Sequence, residues 1–269
     1  MVRIRRVLAL TLFTVLALAA CSSDSDGGAS STSTTTTIAG GTSTTATSST
    51  STTAAAGSST TAVTTPATPC TGGRVARPAS AVAKAVPDVD GDGRADQGWI
   101  AEADDGTVTV GIDTAAGGGF TAPFESASPV MRSVLVVDVD EQGPVELLFD
   151  DGRLVRLYAV SDCQIVRVTN PEGETYTFGL GFTDVGTGVG CLDTAEGRRL
   201  AGLDVTSDEG DTVAWSRTVV ELDGTEARNG ATEEGTFTRP ADDAAIALLR
   251  QVTCGDLTTL VDGLNLVER

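Results

Sequence analysis

The stretch from Ser22 to Pro69 constrains this chain more than any other feature. Serine and threonine fill 29 of its 48 positions, and its only larger apolar residues are Ile38 and Val63. Burial of so little apolar surface cannot offset the entropy of ordering the backbone. The segment therefore reads as a disordered linker with an r.m.s. span of roughly 40 Å. Tracts of this Ser/Thr/Ala/Pro kind are also acceptors for glycans. Any hydrophobic core must come from residues 70–269, about 200 residues, which is enough for one domain.

What precedes the linker is an export signal. Arg3, Arg5 and Arg6 form a basic start, and Val7 to Ala20 runs apolar, broken only by Thr11 and Thr14. That run is too short for a permanent membrane span and suits the apolar core of a signal peptide over residues 1–20. It ends Leu18-Ala19-Ala20-Cys21, which resembles the lipobox of bacterial lipoproteins. The resemblance implies cleavage before Cys21 and lipidation of that cysteine. The acyl chains would anchor the protein to the membrane, on the outer face of the bacterial cytoplasmic membrane. Residues 21–69 are then the lipidated cysteine and its tether.

The domain carries 35 acidic against 15 basic residues and the chain has no histidine. Nucleic acid and anionic headgroups are poor partners for such a surface, whereas cations and cationic surfaces suit it. Four cysteines remain after Cys21: Cys70, Cys163, Cys191 and Cys254. An even number in an oxidising compartment indicates two disulfides. Three pairings are possible. Cys163–Cys191, closing a local loop, with Cys70–Cys254, joining the domain's ends, is the pairing favoured here. No Cys-x-x-Cys spacing supports a zinc site.

Strand signals dominate. Thr107 to Ile112 alternates with period two, and Ser133–Val137, Val145–Phe149, Leu154–Val160, Gln164–Val168 and Thr212–Leu222 are short runs rich in Val, Leu and Ile. Gly/Asp clusters separate them at close intervals, as in all-β folds. One short helix is expected near the C-terminus, where Pro240, Asp242 and Asp243 precede the helix formers Ala244 to Arg250.

The chemistry concentrates in Pro87-Asp88-Val89-Asp90-Gly91-Asp92-Gly93-Arg94-Ala95-Asp96. Carboxylates fall at positions 1, 3, 5 and 9 of a loop, with the Arg94 carbonyl at position 7. A hard cation such as Ca²⁺ takes six to eight oxygens, and a single turn of this kind can supply many of them. Gly91 and Gly93 permit the positive-φ backbone that folds acids inward. An EF-hand would place a Glu at position 12, where this chain has Trp99.

This run resembles the calcium loops of FG-GAP/VCBS repeats, the blade units of integrin-like β-propellers. The resemblance covers about ten residues and implies Asp88, Asp90, Asp92 and Asp96 as side-chain ligands. Asp138-Val139-Asp140-Glu141-Gln142-Gly143-Pro144-Val145-Glu146 repeats the pattern further along the chain, with Asp138, Asp140 and Glu146 in place of Asp88, Asp90 and Asp96. Gln142 replaces the third acid, so this second loop is expected to keep its fold role with a weakened metal site. Thr183 to Cys191 is a fainter third mark. Near-regular spacing implies a small propeller-like array of about four antiparallel blades, the alternative being a β-sandwich with calcium loops.

Catalysis has little support. Without histidine the commonest general base is missing, and neither a Gly-x-Ser-x-Gly elbow nor a phosphate loop occurs. Acid pairs such as Asp104-Asp105, Asp150-Asp151 and Asp242-Asp243 leave a carboxylate-based extracellular hydrolase as the alternative. An acid pair in a cleft near an exposed Trp215 would favour it. Trp99, Trp215, Tyr158 and Tyr176 read as core aromatics. The reading that fits best is a surface interaction module whose calcium site is structural and whose loops meet a protein or a cell-wall glycan.

Overall fold

The computed structural model describes residues 68–73, 75–126, 132–181, 187–195 and 197–266. The expected signal peptide, Cys21 and the linker up to residue 67 lie outside these, as do residues 183–186 of the third mark. Among the described residues no helix is long and apolar enough to cross a membrane.

Among the described residues the domain is all-β with one short helix. Four antiparallel strands, β1 (Val82–Val86), β2 (Asp96–Glu102), β3 (Val108–Asp113) and β4 (Gly119–Pro123), form a first sheet in sequence order. The next four, β5 (Arg132–Val137), β6 (Glu146–Asp150), β7 (Leu154–Ser161) and β8 (Gln164–Arg167), form a second meander. It is extended by β9 (Thr177–Gly179), which pairs with β7. A third meander follows with much longer strands: β10 (Thr187–Thr194), β11 (Gly197–Glu209), β12 (Thr212–Asp223) and β13 (Glu226–Thr238). The chain then makes α1 (Asp243–Leu248) and a small hairpin of β14 (Thr253–Cys254) and β15 (Leu257–Thr258). It ends in β16 (Leu264–Leu266), which pairs with β5.

The sheets stack face to face, and side-chain alternation decides which residue enters which core. Val134, Val136, Leu147, Phe149, Tyr158 and Val160 of the second sheet meet Ile100, Val110, Ile112 and Phe120 of the first. Their neighbours Leu135, Val137, Leu148, Val155, Leu157 and Ala159 point the other way, onto Val189, Leu200 and Val220 of the third. The second sheet is thus the middle layer, buried on both faces. This accounts for runs such as Leu147-Leu148-Phe149, all 0% exposed, where a half-buried strand would alternate. The far face of the third sheet packs Leu203, Val205 and Val213 against Ile246 and Leu249 of the helical segment.

Two expectations are corrected. The disulfides are Cys70–Cys163 and Cys191–Cys254, not Cys163–Cys191 and Cys70–Cys254. Cys70 and Cys163 belong to the core between the first and second sheets, Cys191 and Cys254 to the core between the second and third. Proximity in sequence misled because Cys163 and Cys191 face different layers. Second, the described part of the third mark, Thr187 to Cys191, lies within β10 rather than in a loop.

Candidate metal centre

The two aspartate-rich segments occupy the same place in their sheets. Each joins the first strand of a meander to the second, β1 to β2 and β5 to β6. Four internal hydrogen bonds of the first loop recur in the second. The Val89 N–H donates to Asp96 Oδ2 at 2.8 Å, and the Val139 N–H to Glu146 Oε2 at 3.1 Å. Asp88 Oδ1 accepts from the N–H groups of Asp90 (3.3 Å) and Gly91 (2.8 Å); Asp138 Oδ1 accepts from those of Asp140 (3.3 Å) and Glu141 (2.6 Å). Asp90 Oδ1 accepts from Asp92 N–H, and Asp140 Oδ1 from Gln142 N–H. Even the backbone sign is kept: Gly91 has φ 73° and its counterpart Glu141 has φ 57°. That conformation is uncommon for a residue with a Cβ.

Within the first loop, one carboxylate oxygen each of Asp88, Asp90 and Asp96 lies within 4.8 Å of the others. Asp90 and Asp96 are buried, at 6% and 1% exposure. The oxygens are held from several directions. Gly93 N–H reaches Asp88 Oδ2 at 2.6 Å, Cys70 N–H reaches Asp90 Oδ2 at 2.8 Å, and Ala115 N–H reaches Asp96 Oδ1 at 2.7 Å. Cys70 is itself fixed by its disulfide and by Thr114, whose hydroxyl donates to the Cys70 carbonyl at 2.6 Å. A carboxylate has about four lone-pair sites; Asp90 and Asp96 each accept two N–H bonds and keep room for a cation, whereas Asp88 already accepts four, from Asp90, Gly91, Asp92 and Gly93. Oxygens this close suit a cation that binds oxygen at about 2.3–2.6 Å.

Electrostatics points the same way. Burial pushes the Asp96 carboxyl above its usual range, with Asp90 and Asp88 adding repulsion, while the Val89 and Ala115 N–H groups pull it back. A cation would relieve that repulsion. Asp92 stands apart from the other three. Its carboxylate takes the Arg94 guanidinium at 2.7 and 3.1 Å, and this pairing holds its pKa low. The structure therefore brings together three of the four expected side-chain ligands and turns the fourth toward its neighbour.

The second loop does not converge in this way: among the described residues Asp88, Asp90 and Asp96 are the one such cluster. Burial pushes Glu146, 1% exposed, up to about 8, and Asp138 is raised for the same reason. Glu141 is paired with Arg198 of β11 at 2.8 Å, which ties this loop to the third sheet.

An open cleft of about 810 Å³ separates the two loops, with Asp88 and Asp90 on one side, Gly143 and Pro144 on the other, and the Cys70–Cys163 disulfide between them. Sequence reasoning missed Cys70, Thr114 and Ala115. Two of them act through backbone groups, and the third through a hydroxyl beyond the far end of β3, so no side-chain pattern announces them. Trp99, Tyr158 and Tyr176 are buried, and Trp215 lies half-buried against Phe237 and Arg217. Comparison with known protein families, with curated proteins and with solved structures finds no match.

Proposed function

We propose that this chain is a lipoprotein anchored through Cys21 to the outer face of a bacterial cytoplasmic membrane, whose β domain is a binding module stabilised by calcium. The observation that carries the reading is the convergence of Asp88, Asp90 and Asp96 in a loop whose backbone geometry recurs between β5 and β6. The loop's likeness to FG-GAP/VCBS repeats also implies Asp92, whose carboxylate is here paired with Arg94, and the loop spacing adds the Arg94 carbonyl as a further oxygen. Equivalent placement of the two loops in successive four-stranded meanders supports reading those sheets as propeller-like blades. In the third sheet Thr194 of the first strand already pairs with Gly197 of the second, and the residues after it supply a helix, a hairpin and β16, so the blade analogy extends to the first two sheets.

In this reading calcium is structural. It neutralises the acids, locks β1 to β2 and holds one rim of the cleft, where a protein or wall glycan would dock. Second-loop residues Asp138, Asp140 and Glu146 keep the turn without the ion. Sites in extracellular modules bind calcium at about 10⁻⁴–10⁻³ M. At ten times the dissociation constant, binding adds about 1.4 kcal/mol. Millimolar calcium is therefore expected to raise the melting temperature of the intact protein, and Asp90→Asn, which keeps an acceptor for Cys70 N–H, to abolish the rise. An unchanged melt after chelation would reduce the loop to a turn. Cys21→Ser is expected to move the protein from the membrane fraction to the medium.

A further inference from the structure

The third sheet outgrows its neighbour. β11, β12 and β13 are 13, 12 and 13 residues long, against 4 to 8 for the strands β5–β8 of the middle sheet. On the face toward the middle sheet, Val189, Leu200 and Val220 are buried. Where the middle sheet ends, the same face turns polar. Thr187, Asp204, Ser216 and Glu234 are successive cross-strand partners, as are Gly202, Thr218 and Thr232. Cross-strand partners point to one side, so these two rows form one surface. Thr187, Asp204, Ser216, Gly202 and Thr218 of these rows, with β9 as the other wall, line a groove of about 210 Å³, and Glu234 and Thr232 continue the rows beyond it.

The chemistry of that groove is uniform. Its floor is Gly202, where an added Cβ would stand 3.4 Å from the Phe178 ring, so the glycine keeps the space open beside an aromatic edge. Tyr176 donates its hydroxyl proton to Asn229 Oδ1, so the phenol oxygen keeps acceptor capacity and the Asn229 amide keeps its hydrogens as donors. Among the described residues the Asp204 carboxylate and the Ser216 hydroxyl have no hydrogen-bond or ion-pair partner. The backbone of β11 and β12 is paired on both sides, so an extended peptide cannot add to the floor of the groove as a strand. Recognition on the floor goes through hydroxyl, amide and carboxylate side chains, whose complement is a ligand dense in hydroxyls with a positive charge. The groove is smaller than the ~300–1,000 Å³ of a drug-sized pocket, which fits one ring of a longer chain.

We propose that this groove is a subsite for one ring of an amino-sugar polymer, its ammonium on Asp204 with Glu234 at the rim, and its hydroxyls on Ser216, Thr218 and the Asn229 amide. This names a ligand class for the binding module inferred above, but it stands on a separate face from the aspartate loops. The test is titration calorimetry on the full-length chain in detergent at physiological salt, with a β-1,4-glucosamine tetramer, its N-acetylated counterpart and tetralysine. The glucosamine tetramer is expected to bind, the N-acetylated form at least tenfold more weakly, and tetralysine hardly at all. Asp204→Asn is expected to weaken the tetramer at least tenfold and Ser216→Ala severalfold, with unchanged melting temperatures. Asp90→Asn, on the loop, is expected to leave tetramer binding intact while losing the calcium effect, so each idea fails separately. No binding by the wild type, equal binding by Asp204→Asn, or tetralysine binding as tightly as the sugar would overturn the proposal.

Discussion

Glu146 shows what a single side chain can cost. It sits 1% exposed, accepts one N–H bond from Val139, and is pushed from 4.5 up to about 8 by burial. A carboxyl whose pKa is higher in the folded than in the unfolded state holds its proton more tightly when folded. Its effect on stability is therefore most favourable below pH 4.5 and is lost as pH rises through 8. Glu146→Gln keeps an acceptor for Val139 and removes the titration. It is expected to flatten the pH dependence of stability between 4.5 and 8 and to stabilise the protein at pH 8 by on the order of a few kcal/mol. Denaturant melts of both proteins at the two pH values check this; parallel slopes would refute it. At this scale the sequence was informative about spacing and silent about direction. The acids at 88, 90 and 96 sit where a compact turn puts them, but Asp92 follows the charge of Arg94, a competition that spacing does not reveal.

Among the elements, both tryptophans obey one rule. Trp99 is the cross-strand partner of Gly111, and Trp215 that of Gly235. In each pair the indole lies over the glycine, and a Cβ there would come within 2.1 Å of Trp99 or 2.5 Å of Trp215. Covering a strand glycine with an aromatic ring buries backbone that would otherwise be open and pins the register. Gly111→Ala must displace a fully buried ring, and it is expected to cost about 2–3 kcal/mol. Gly235→Ala meets a half-buried ring that can shift outward, and about 1 kcal/mol is expected. Urea melts of the two variants should rank them in that order. Strand positions were legible because alternation and Gly/Asp breaks are local. The glycine–tryptophan pairs were not, since each joins residues on different strands through a register that only pairing sets.

For the whole molecule the decisive fact is the layering. Each interlayer core carries one disulfide, across sequence separations of 93 and 63 residues. Loops that long restrict the unfolded chain by about 4–5 kcal/mol each in the chain-entropy model. Peptide mapping without reduction is expected to recover Cys70 with Cys163 and Cys191 with Cys254; a Cys163–Cys191 peptide would contradict the layer order. Replacing Cys70 and Cys163 together by serine is expected to cost about 2–5 kcal/mol. It should also weaken the calcium effect on melting, because the Cys70 N–H that holds Asp90 loses its anchor. The Cys191 and Cys254 double variant is expected to destabilise comparably and leave the calcium effect in place.

By itself the sequence determined whatever depends on neighbours along the chain: the all-β character, nearly every strand from β3 to β8, the short helix, the aspartate turn and its later copy. These rest on backbone propensity, side-chain alternation and glycine's access to positive φ, all of which act over short stretches of chain. Tertiary structure alone decided which cysteines meet and which sheet is buried on both faces. Those outcomes depend on how sheets stack, and stacking is set by the sum of many weak apolar contacts between distant segments, which no single stretch of sequence displays.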